Sequence, residues 1–153
     1  MVRPSGTLAI GPILRISISL SSGLLGGLAV FLLASASFAL GLEVSHWGIE
    51  GRFNFESARL LAATGALWGL LFAPVLWGAR VNPWMQGLVV AAIPLMVEGL
   101  IVLPVVQGAG MFGLQWGLFY VLWVFVAHGV WGTVGGWWNA WTLHQLHTGR
   151  DET

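Results

Sequence analysis

The sequence contains no cysteine and no lysine, and only 8 % of its 153 residues carry a formal charge. Without thiols, disulfides, zinc–thiolate centres and iron–sulfur clusters are excluded. Soluble domains carry about 25 % charged residues, so a chain with a third of that lacks the polar side chains to cover a water-facing surface. Its few charges, six arginines against six carboxylates, form no basic cluster, and nucleic acid is not expected as a partner. What is abundant is apolar, aromatic or small: 57 % hydrophobic residues, ten tryptophans, eight phenylalanines and 22 glycines. These proportions predict an integral membrane protein, all-α, with one transmembrane domain.

The gaps between charges locate the helices. There are 27 uncharged residues between Arg15 and Glu43, 20 between Arg59 and Arg80, and 17 between Arg80 and Glu98. Crossing a hydrocarbon core of roughly 30 Å takes about 20 mostly apolar residues. The uncharged stretch after Glu98 divides at Gln107-Gly108-Ala109-Gly110, just past Pro104, where glycine and proline mark a turn. The predicted spans are 14–42, 58–79, 85–106 and 113–142, forming a four-helix bundle. Ala34-Ser35-Ala36 resembles a signal-peptide cleavage site after Arg3 and Arg15, but the apolar run to Leu42 is longer than a signal core, which favours an uncleaved anchor. Arg3, Arg15, Arg80 and Arg150 outnumber Arg52 and Arg59, so both termini are expected in the cytoplasm. Trp77, Trp84, Trp137, Trp138 and Trp141 would then lie at the cytoplasmic interface, with Trp47 and Trp116 at the other. Asn54 and Glu56 read as the N-cap and first-turn acid of the second helix, and Pro74, Pro94 and Pro104 as kinks.

Each span carries a stripe of small or polar residues at helical spacing. Lipid is as apolar as leucine, so such stripes, rather than hydrophobic ones, mark where helices meet. They comprise Ser19, Gly23, Gly27, Ala34, Ser37 and Gly41 on the first span and Ala58, Ala62, Gly65, Gly69 and Ala73 on the second. The third has Gly87, Ala91, Pro94 and Glu98, and the fourth Gly117, His128, Gly132, Gly135 and Asn139. Gly65, Gly69, Gly132 and Gly135 are the expected packing positions. Thr64-Gly65-Ala66-Leu67-Trp68-Gly69 and Ala127-His128-Gly129-Val130-Trp131-Gly132 share a Trp-Gly pair, suggesting a duplicated two-helix unit.

Two intramembrane side chains are candidate polar or proton sites. Glu98 is the one carboxyl inside a span, where a charge costs about 2.5–3.5 kcal/mol on insertion scales; the expected role is a hydrogen bond that fixes packing, and the alternative is a proton carrier. His128 lies mid-span, with Gly132 leaving room beside its ring for a backbone or a flat ligand. A cross-helix hydrogen bond is expected of it, with axial ligation of a haem or chlorophyll-type pigment as the alternative. Counted from the cytoplasmic helix ends at 1.5 Å per residue, Glu98 and His128 lie about 22 Å and about 20 Å up, so contact is allowed. Counted from the turn near residue 109, they are offset by roughly 10 Å. Glu43-Val44-Ser45-His46 has the Glu-x-x-His spacing of di-iron bundles but lacks the further carboxylates and second copy such sites need, and His144 with His147 near Asp151 and Glu152 reads as a solvated tail. No metal site is expected. No nucleophile elbow, phosphate loop or zinc-protease motif occurs, so no catalytic residue is assigned.

Gly65-Ala66-Leu67-Trp68-Gly69-Leu70-Leu71-Phe72-Ala73, Pro104 with Gly108-Ala109-Gly110-Met111-Phe112-Gly113, and His128-Gly129-Val130-Trp131-Gly132 together resemble small bacterial inner-membrane proteins of the YagU-like kind. Those proteins lack an established reaction, so the resemblance implies four spans and an inward His128, and no substrate. The loop around His46 and the tryptophan-rich end depart from the pattern.

The expected function is that of a non-enzymatic accessory or structural subunit of a larger assembly in a bacterial inner membrane, plasma or energy-transducing, with lipid and other subunits or further copies of itself as partners. The alternatives are a small transporter or proton-conducting protein using Glu98 and His128, and a pigment- or haem-binding subunit through His128.

Overall fold

The computed structural model of the chain describes residues 11–40, 55–75 and 82–148. Arg3, Gly41, the segment Glu43-Val44-Ser45-His46, Trp47, Arg52, Asn54, Trp77, Arg80, Arg150, Asp151 and Glu152 lie outside them. The described residues contain helices and connecting turns, and no strand. α1 runs Pro12–Ala39, α2 Phe55–Gly69, α3 Phe72–Val75, α4 Pro83–Val97 and α5 Leu118–Thr148. From Glu98 to Val106 α4 continues as a wider π-helix, and Met111–Trp116 forms a 3₁₀ segment before α5.

Three of these helices are long and apolar enough to cross a membrane: α1, α4 with its π extension, and α5. The second expected span is cut short. α2 stops at Gly69, where the amides of Leu70, Leu71 and Ala73 turn to carbonyls three residues back. Pro74 explains the stop, since it has no N–H to give and its ring would strike the carbonyl four residues earlier, that of Leu70. α5 begins at Leu118, later than the expected 113, and runs on through Thr148. His144 and His147 therefore belong to its last turns rather than to a tail.

The helices alternate in direction. Positions 19, 23 and 27 of α1 meet 69, 65 and 61 of α2 in turn, and positions 83 and 87 of α4 meet 136 and 132 of α5. Position 22 of α1 lies beside 135, and 26 beside 131. α1 and α5 are thus the central pair, with α2 on the outer side of α1 and α4 on the outer side of α5. α2 and α5 run in the same direction.

Small residues permit the close approach that drives association in a bilayer. A Cβ on Gly23 would stand 2.1 Å from the Gly65 carbonyl oxygen, and one on Gly87 only 2.0 Å from that of Gly132. The glycine doublets explain how the central helices serve two neighbours, because adjacent residues on a helix point about 100° apart. Gly27 faces Leu61 on α2 while Gly26 faces Trp131 on α5; Gly136 faces Pro83 and Gly87 on α4 while Gly135 faces Phe72 and the Ser22 carbonyl. The closest contacts of α5 with α4 therefore run through Gly132 and Gly136, and Gly135 packs toward α1.

Two indole N–H groups fasten α5 to α1: Trp131 Nε1 donates to the Gly23 carbonyl at 3.1 Å, and Trp138 Nε1 to Ser21 Oγ at 3.2 Å. Val30, Ala34, Phe72, Val90, Trp123, Ala127 and Trp131 form the main core. Trp137 and Trp138 both pack on Trp141, with ring centroids 6.5 Å and 5.0 Å away. These three rings lie about 28–35 Å along α5 from Leu118, the distance at which a hydrocarbon core gives way to headgroups.

Candidate functional site

Glu98 and His128 come together. Nε2 of His128 stands 3.3 Å from Oε2 of Glu98, and the two side chains are 11 % and 29 % exposed. His128 is ten residues, about 15 Å, from the start of α5, inside the segment apolar enough to cross a membrane. The later start of α5 moves His128 about 7.5 Å relative to a helix beginning at 113 and removes most of the offset that counting from the turn implied.

Local structure fixes each partner. Nδ1 of His128 lies 2.9 Å from the Val124 carbonyl one turn earlier. A carbonyl only accepts, so Nδ1 carries a proton, and in the neutral ring Nε2 is left as the acceptor. Glu98 opens the π-helical stretch, its backbone N–H shared between the carbonyls of Pro94 and Leu95. π turns inside α-helices are frequently found at functional sites. Pro94 stays within α4 and is buried, and Pro104 lies inside the π stretch, where its missing N–H leaves the local ladder one donor short.

The pair lines a pocket of about 90 Å³ bounded by all four long helical segments. α1 contributes Gly27 and Val30, α2 Leu61, Thr64, Gly65 and Trp68, the α4–π segment Pro94 and Glu98, and α5 Ala127, His128 and Trp131. α2 and α4 stand on either side of it, each packed on its own central helix, and α3 touches both α1 and α4. The repeated Trp-Gly pairs have a shared outcome here. Trp68 and Trp131 both enter the pocket wall, while the glycines that follow them, Gly69 and Gly132, lie against Gly23 and Gly87.

The room that Gly132 leaves beside His128 is filled by protein, since a Cβ there would meet the Gly87 carbonyl oxygen at 2.3 Å and the Ala91 methyl at 2.6 Å. With Nε2 facing Glu98 as well, the geometry gives no support to a macrocycle ligated by His128. Among the described residues no three His, Asp or Glu side chains converge as a metal site. A separate polar feature lies on the α1–α5 seam, where Asn139 and Ser19 are fully buried and neither amide atom of Asn139 nor the Ser19 hydroxyl has a hydrogen-bond partner among the described residues.

Comparison with family models, with curated proteins and with solved structures gave no match. The site therefore stands on its own chemistry: one carboxyl, one imidazole, one hydroxyl, two indoles and apolar walls. Sequence reasoning found Glu98 and His128 but missed the pocket, Thr64 and the paired role of the tryptophans. The shared Trp-Gly motif was the available signal.

Proposed function

We propose that this chain is a four-helix membrane bundle that works as a small proton-exchanging carrier, with Glu98 and His128 holding the transferable proton. The observation that carries this reading is the 3.3 Å contact of the two side chains on the wall of a pocket lined by helices long and apolar enough to cross a membrane. Intramembrane ionisable groups mark ion or substrate paths by default, and a pocket with few convergent polar groups is the usual form of a small-ligand site. The pair has two equivalent uses of one proton: a carboxylic acid donating to Nε2, or a carboxylate accepting from an imidazolium. Both are neutral overall, which suits a medium that penalises net charge.

In this reading α2, the turn after it and α3 together make the remaining crossing, and the bundle sits in a bacterial inner membrane with both termini in the cytoplasm. The alternating helix directions support termini on one side. A reporter fused after Thr153 is expected to be active in the cytoplasm, and a label at Arg52 to be reached from outside; the opposite pattern overturns the orientation.

The experiment that tests the carrier reading is infrared titration of the purified protein. A carboxyl C=O band that appears and disappears with pH in the wild type, and is missing from Glu98→Gln, is the expected result. A Glu98 band that does not respond to pH overturns it.

A second reading, a subunit of a larger assembly, is favoured by α2. This 15-residue helix packs on α1 and, at about 22 Å, is by itself shorter than the roughly 30 Å core it would have to cross. Copurification of a stoichiometric partner in mild detergent supports that reading, and a pure, monodisperse single chain opposes it. No catalytic role is proposed for either reading.

A further inference from the structure

We infer that the pocket takes a small monovalent organic cation, an amine or quaternary ammonium ion, in exchange for the one proton held between Glu98 and His128. This rests on the proton-exchange reading and adds the substrate class to it.

The sign of the ligand follows from counting protons. The Nδ1 proton of His128 is committed to the Val124 carbonyl at 2.9 Å. One further proton between Nε2 and the carboxyl makes the pair neutral, and losing it leaves a carboxylate beside a neutral imidazole. That state carries a single negative charge, and in a poorly solvated site such a charge needs a partner. No arginine lines the pocket, and the chain has no lysine. An anionic ligand would find no fixed positive charge there; a cation finds the carboxylate as soon as the proton leaves.

The walls match an alkylated cation. Trp68 and Trp131 supply two indoles, and aromatic faces attract ammonium groups, tryptophan most strongly. The Trp131 ring is pinned by its hydrogen bond to the Gly23 carbonyl, so that wall is formed before the ligand arrives. Val30, Leu61, Pro94 and Ala127 complete a surface suited to methyl or methylene groups. The pocket, about 90 Å³ and partly open, has room for a cation head of few heavy atoms.

The exchange balances. A cation enters from water, the O–H bond of Glu98 or the Nε2–H bond of imidazolium breaks, and the proton leaves to water. The carboxylate stays behind to neutralise the cation. No oxidant, reductant or second reactant is required.

The probe is tetramethylammonium, added to the full chain in weakly buffered detergent with a pH dye present. One proton released per cation bound is expected, with apparent affinity tightening about tenfold per pH unit while the pair is protonated. Glu98→Gln should release no proton on addition of the cation. Trp68→Leu, which leaves the pair intact, should weaken binding about twofold to thirtyfold while keeping the one-to-one proton release. Binding without proton release, affinity independent of pH, or no binding of tetramethylammonium or methylammonium overturns the inference. If in addition the Glu98 carboxyl band responds to pH, the proton-exchange reading survives without this substrate class. If that band does not titrate, both fall. Uptake of a proton together with acetate, in place of release with a cation, would reverse the sign and overturn the inference as well.

Discussion

Gly132→Leu should abolish the α4–α5 pair even though it makes the segment more hydrophobic. The first side-chain atom alone would lie 2.3 Å from the Gly87 carbonyl oxygen, and that obstacle is backbone, which has no rotamer to change. Alanine suffices to make the point. In an ordinary helix Gly→Ala gains about 1 kcal/mol, but at Gly23 and Gly87 the added methyl would stand 2.1 Å and 2.0 Å from backbone oxygens. The helices must move apart, and overpacking of this sort costs typically 1–3 kcal/mol. Gly129 is the internal control, because a Cβ there meets nothing within 4 Å. Thermal unfolding in detergent, followed by tryptophan fluorescence, should therefore give Gly129→Ala unchanged or higher in Tm, Gly23→Ala and Gly87→Ala lower, and Gly132→Leu without a cooperative transition. Equal behaviour of Gly87→Ala and Gly129→Ala would refute the close packing of α4 on α5.

Glu98→Gln and Glu98→Leu should separate stability from proton exchange. Because the Val124 carbonyl fixes the Nδ1 proton, Nε2 of the neutral His128 ring is an acceptor. A glutamine amide can donate to it and replaces the acid form of Glu98 with the same size, so the folded protein is expected to keep its wild-type Tm. Leucine removes the donor and leaves Nε2, in a side chain 11 % exposed, unpaired at a cost of about 1–3 kcal/mol. Both variants lose the carboxyl that the proposed exchange requires. A Glu98→Gln protein as unstable as Glu98→Leu would indicate that the pair is held as carboxylate and imidazolium, since glutamine cannot substitute for a charged acceptor.

Much of the fold is legible in single residues. Ser19, Gly23, Gly27, Ala34 and Ser37 stand at helical spacing in the sequence, and all five are buried on α1; Gly87, Ala91 and Pro94 do the same on α4. Spacing is enough there because a helix converts position along the chain into direction around an axis. The limits of helices are less legible. Hydropathy continues unbroken through Leu70 and Leu71, yet Pro74 ends α2 by acting on a carbonyl four residues upstream. The turn at residues 107–110 is visible as a glycine-rich break, but not the 3₁₀ segment beyond it, in which Phe112 adopts a positive φ of 51°.

The candidate site divides along the same line. By itself the sequence determined that the chain is helical and apolar enough for a membrane, that each helix has a small-residue face, and that one acid and one mid-span histidine would be costly to bury alone. Those are properties of composition and of a fixed helical period. Only the tertiary structure decided that Glu98 meets His128, that the histidine proton is placed by Val124, and that Trp68 and Trp131 share one pocket with them. Such contacts depend on where α5 starts, on the wider turns after Pro94 and on which glycine of each doublet faces which neighbour. Each is a shift of a few ångströms set by packing between distant segments, and local sequence carries no record of it.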